Sequence, residues 1–232
     1  MAQPAPPWTP AAAPRALPPS QGLAYGLMGL PLAFVALPLY VVLPHHYAST
    51  LGAPLAGLGG VLLGARLLDA LVDPGLGRLA DRLLHQGPEA VWRACAVAGA
   101  MLALALWAVF MPAVHSPGAL LMWAATGLAL AYPAYSLLSI AHQAWGARLG
   151  GDEAQRSRVV AWREGAGLLG VVLASVLPTL LGVAAMLAAF TGLLVLGWPG
   201  TGHRRRRPWL RPTCPSTRPG CGSLGGSRPS AD

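Results

Sequence analysis

Apolar residues in this chain fall into long runs, and most of the charge lies in the stretches between them. Gly22–Leu43 contains no charged residue and is long enough to cross a hydrocarbon layer of about 30 Å. Pro31 and Pro38 lie inside it, which a membrane helix tolerates when neighbouring helices satisfy the freed carbonyls. Leu51–Val72 is a second run, Ala94–Val114 a third and Gly118–Ala141 a fourth. Val159–Leu177 and Leu180–Trp198 give a fifth and a sixth, with Pro178-Thr179 as the turn. The pattern predicts an all-α fold, an integral membrane bundle of six helices over residues 21–198. The expected connections are a short loop at Pro44–Tyr47, a polar loop at Gly75–Arg93, a minimal one at His115–Pro117 and a polar one at Trp145–Ser157. Residues 1–20 read as a disordered Pro/Ala-rich lead, and residues 199–232 as an Arg/Pro/Gly-rich low-complexity tail.

Composition agrees with a membrane protein. Of 232 residues 54% are hydrophobic and 10% charged, against about 25% charged in a soluble domain. The net charge of +8 does not point to nucleic acid, because the arginines form no single basic face. They gather after the second run (Arg78, Arg82, Arg93), after the fourth (Arg148, Arg156, Arg158) and in the tail (Arg204 to Arg207). Positive charge stays cytoplasmic, so both termini are expected on the cytoplasmic side of a multi-pass inner-membrane protein. Cys95, Cys214 and Cys221 form neither a disulfide framework nor a zinc spacing. Membrane lipid is an expected partner, a metal and a cofactor are not.

The second apolar run carries charge deep in its interior. Arg66, Asp69 and Asp73 fall at i, i+3 and i+7, on one helix face. Ionisable groups in a membrane segment cost a few kcal/mol each on insertion scales, and they face a protein interior or a water-filled path. The triplet leaves one negative charge over, which a proton or a small metal cation could neutralise. Alternatively Asp73 marks the helix end at the membrane surface, with Pro74 breaking the helix. On the same helix Gly52, Ala56, Gly60 and Gly64 repeat every four residues, a pattern that predicts close packing of another helix.

The stretch Arg66-x-x-Asp69-Ala-x-x-Asp73-Pro-x-x-Gly77 resembles the glycoside–pentoside–hexuronide cation symporters, the melibiose-permease-like branch of the major facilitator superfamily. The overlapping Gly77-x-x-x-Asp81-Arg82 resembles the superfamily's signature in the loop between helices 2 and 3. The resemblance implies the N-terminal half of such a transporter, with Asp69 and Asp73 binding the coupling cation (H+ or Na+) and Arg66 as their charge partner. Where that family has a sugar-binding aspartate on helix 1 this chain has Ala33, and Ala131 stands where it has a third cation-site acid.

A polar stripe runs along the fourth span through Tyr132, Tyr135, Ser136, Ser139, His142 and Gln143. Such a stripe serves either hydrogen bonding between helices or a solute path. The resemblance implies that Tyr135 stacks on a sugar ring and that Arg163, at the entry to the fifth span, reaches it. Read from the residues alone, Arg158, Arg163 and Glu164 sit at the cytoplasmic water interface, where long arginine side chains snorkel. The expected function is cation-coupled transport of a small solute, with Tyr135, Ser136 and Arg163 lining the path and no enzymatic chemistry. The second bundle would be a second copy of the chain or a separate C-terminal half. The alternative is a truncated remnant, or a six-helix subunit that packs on another chain without transporting.

Overall fold

The computed structural model describes residues 19–149 and 153–202. The expected lead up to residue 18, the tail beyond 202 and residues 150–152 lie outside the described residues. Every regular element among the described residues is helical: α1 (Pro19–Leu37), a π turn (Pro38–Val42), α2 (Leu43–Ser49), α3 (Leu55–Gln86), α4 (Pro88–Phe110), α5 (Pro117–Leu149), α6 (Glu153–Leu180) and α7 (Gly182–Gly202). Five helical stretches are long and apolar enough to cross a membrane, with α1, the π turn and α2 together forming the first of them. The apolar part of α7, Gly182–Trp198, is a shorter one.

The spans are where the hydrophobic runs place them, but the helices overrun the expected loops. Pro44–Tyr47 is helical, not a loop. Its first span continues through the π turn, where Leu43 N–H bonds to the Pro38 carbonyl five residues back. Two prolines, Pro38 and Pro44, each remove a donor from the regular ladder around that turn. The polar stretch from Gly75 onward is also helical. Pro74 does not end α3, which runs on to Gln86 and is about 48 Å long at 1.5 Å per residue. That exceeds the hydrocarbon thickness, so the segment with Arg78, Asp81 and Arg82 is a polar extension of the span. The chain turns at one residue, Gly87, whose φ of 118° favours glycine. Likewise α5 extends to Leu149 and α6 starts at Glu153, leaving little of the loop expected at 145–157.

The packing has a plain symmetry. The first span packs on α6 and α7, and α5 packs on α3 and α4. The pairs α3–α4 and α6–α7 are neighbours, while α1 meets α5 and α4 meets α7. Exchanging each of the first three spans for the one three places later leaves this contact scheme unchanged. Successive spans alternate in direction, so the two triplets are inverted relative to each other, as in the nested repeats of facilitator-type transporters.

The close helix approach is not where the small-residue repeat on α3 predicts it. Nothing comes within 4 Å of a side chain placed at Gly60 or Gly64, because that face of α3 has no partner in the described bundle. The tight contact is instead between α1 and α6. A methyl group at Gly170 would overlap the Leu30 carbonyl oxygen and sit 3.1 Å from Phe34 N. The core of the bundle, which includes Phe34, Phe190, Leu102, Leu106, Leu128 and Tyr132, is almost fully buried. Tyr47 donates to the Val109 carbonyl at 2.7 Å and so fixes the end of the first span against α4.

Candidate functional site: two polar clusters on the central helices

Polar side chains inside the bundle form two clusters, and the first span and α5 contribute to both. The first cluster joins the π turn, α3 and α5. Ser136 on α5 donates to Asp69 Oδ1 at 3.0 Å. Arg66 Nη1 is 3.9 Å from Asp69 Oδ2, too far for the 2.7–2.9 Å hydrogen bond of a tight ion pair. The guanidinium is held elsewhere: its carbon lies 3.9 Å from the centre of the Tyr40 ring and 5.3 Å from that of Tyr132. The two rings are themselves near parallel, 6.2 Å apart. The wide turn supplies Tyr40 to this stack, in keeping with the frequency of π turns at functional sites. Asp69 is thus near a positive charge without being locked by it, and its side chain is only 13% exposed.

Asp73 lies one turn further along α3 and is exposed on the bundle surface. Among the described residues no group of three or more His, Cys, Asp or Glu gathers in one place. Gly77, Asp81 and Arg82 lie on the polar extension of α3, not in a loop, and neither Asp81 nor Arg82 forms an ion pair among the described residues.

The second cluster lines a cavity of about 190 Å³ between α1, α5 and α6. From α5 it receives Tyr135, Ser139, His142 and Gln143; from α6 come Arg163 and Glu164. Ala33 and Gly29 form the α1 wall. Arg163 donates through Nε to Glu164 Oε1 at 3.1 Å, so the charges of this pair cancel locally. The structure therefore separates the expected solute-path residues. Tyr135 and Arg163 share the cavity, whereas Ser136 turns to Asp69.

Residues 21–206 match the family model for MFS/sugar transport proteins. The chain belongs to that family. This MFS/sugar transport protein is a multi-pass membrane protein, and its family is one of transporters for sugar-type solutes. No curated protein matches the chain.

In this MFS/sugar transport protein, sequence reasoning found the helices that carry the clusters but not all of their members. Tyr40 gave no signal, since a tyrosine in an apolar run looks like core. Tyr25 was equally silent. It stacks on His142 with ring centres 4.2 Å apart and 14° between the planes. His142 and Gln143 were legible as the end of the polar stripe on α5, and Glu164 only as a charge at a helix entry.

Proposed function

We propose that the chain works as a cation-coupled symporter of a sugar-type solute, in which Asp69 and Asp73 bind H+ or Na+. The supporting observation is the state of Asp69. It is held in place by Ser136, faces an arginine that is stacked on tyrosine instead of hydrogen bonded to it, and is mostly shielded from solvent. An ionised carboxylate in such a setting favours a bound cation, because burial raises the cost of leaving the charge uncompensated. Cation occupancy would cancel the leftover negative charge of the Arg66–Asp69–Asp73 group and favour the reorientation of the bundle. The solute would sit in the adjoining cavity at Tyr135 and Arg163, near enough on α5 to sense the Asp69–Ser136 bond.

A carrier of this kind rocks two bundles about a central site, so this bundle acts with a second one, either another copy of the chain or a C-terminal half. The weakly covered faces of α3 and α6 are where it would dock. The membrane is the inner membrane, with both termini cytoplasmic, as the arginine distribution favours. Proteoliposomes with an imposed Na+ or proton gradient and labelled sugars test the proposal. Uptake that follows the gradient and vanishes in Asp69→Asn is the expected result. Uptake indifferent to both gradients, or unchanged in Asp69→Asn, would contradict it.

A further inference from the structure

Apart from the polar cavity, the bundle has an apolar groove of about 500 Å³ between α1 and α6. The two helices run closely side by side there, since a Cβ at Gly26 would overlap the Trp162 carbonyl oxygen. The lining passes from buried Leu30 to exposed Leu27 and Leu169. Its middle is open at Gly165, where a Cβ would meet nothing within 4 Å. On α6 the cavity takes Glu164 and Gly167, whereas the groove takes Arg158, Trp162, Gly165 and Leu169. Groove and cavity thus lie on different sides of α6, and a second bundle arranged around the cavity leaves the groove facing lipid.

We propose that this groove holds an acyl chain of an anionic phospholipid from the cytoplasmic leaflet, with the lipid phosphate on Arg158. Three features set that occupant. The first is length. At 1.5 Å per residue, Arg158 to Leu169 covers ~17 Å, close to half of the ~30 Å hydrocarbon layer and so to the depth of one leaflet. The second is charge. Among the described residues that line the groove, Arg158 alone is charged, and it stands at the end of α6 where the arginines gather. Arg163 is engaged by Glu164, but Arg158 is exposed and forms no ion pair among the described residues. A guanidinium offers parallel donors that match a phosphate, and an anionic headgroup brings no cation of its own to compete for it. The third is Trp162, one turn from Arg158 and 39% exposed, an indole at the depth where tryptophan lines the membrane–water interface.

Native mass spectrometry of the purified full chain in detergent tests the proposal, with melting temperature read in parallel. The probes are palmitoyl-oleoyl phosphatidylglycerol, the matching phosphatidylcholine, and glycerol 3-phosphate as the headgroup without chains. Phosphatidylglycerol should bind as a retained adduct about fivefold more tightly than phosphatidylcholine, the factor that one arginine near an anionic surface supplies. It should raise the melting temperature, and glycerol 3-phosphate should neither bind nor compete. Arg158→Gln should bind the two lipids equally, and Arg158→Lys should keep most of the preference. Arg78→Gln removes an exposed arginine from the polar extension of α3 and should keep all of it. Gly165→Leu and Ala161→Leu fill the groove. Both should melt at or above wild type without lipid and lose the adduct. The proposal is overturned if wild type shows no preference for phosphatidylglycerol, or if Arg78→Gln loses it as Arg158→Gln does, which would mean diffuse charge. It is overturned equally if glycerol 3-phosphate competes, if either folded filling variant keeps the adduct, or if both fail to fold. A dimer that forms without lipid and is lost in Gly165→Leu would give the groove to a second copy of the chain and also overturn it.

Discussion

Ser136 on α5 donates to Asp69 on α3 across 3.0 Å, and this is the hydrogen bond that ties the charged helix to the centre of the bundle. Hydrogen bonds to charged groups contribute about 1.5–3 kcal/mol in water-soluble proteins, while interhelical ones in membranes average about 0.6 kcal/mol. Ser136→Ala should therefore destabilise the bundle by ~1 kcal/mol, read by unfolding in mixed micelles, with Ser136→Thr close to wild type.

Arg66 lies 3.9 Å from Asp69 without a tight ion pair, and its side chain is 47% exposed in the bundle. Removing one member of a fully buried pair costs about 3–5 kcal/mol, but partial exposure reduces this, so Arg66→Ala is expected to cost ~2 kcal/mol. Arg66→Ala combined with Asp69→Asn should recover part of that loss in a double-mutant cycle. Arg66→Lys should recover less than the charge alone predicts, because the ammonium lacks the planar face that stacks on Tyr40.

The two sets of glycines give opposite outcomes. Gly170→Ala pushes a methyl into the backbone of α1 and should destabilise by ~1–3 kcal/mol. Gly60→Ala and Gly64→Ala meet open space and should be neutral or stabilise by up to ~1 kcal/mol, the helix-propensity gain. Equal losses at all three positions, in the same unfolding assay, would contradict the packing described.

Topology follows from the arginine distribution. A reporter fused after His115 should be periplasmic and one fused after Arg82 cytoplasmic. The opposite pattern would contradict the orientation.

The spans were legible because a run of apolar residues longer than the bilayer has few other uses. Helix ends were not. Pro74 and the polar residues after it suggested a loop, but the helix leaves the membrane before its hydrogen-bond ladder fails, and only Gly87 stops it. The Arg66–Asp69 pairing could be read from i, i+3 spacing, since both are on one helix. The Tyr40 and Tyr132 stack on Arg66 could not, because it depends on how three helices cross. For the same reason the repeat Gly52, Ala56, Gly60, Gly64 named the wrong interface: spacing shows that a face is smooth, not that another helix covers it.

The most direct test of the cation site is the thermal stability of the purified chain as Na+ or proton concentration is raised, compared among wild type, Asp69→Asn and Asp73→Asn. A ligand bound only by the folded state stabilises it by about 2.7 kcal/mol at a hundredfold excess over Kd. Wild type should gain a shift of that order with one of the two cations, and each variant should lose it. An equal shift in all three proteins, or none in wild type with either cation, would contradict the assignment of Asp69 and Asp73 as the coupling site.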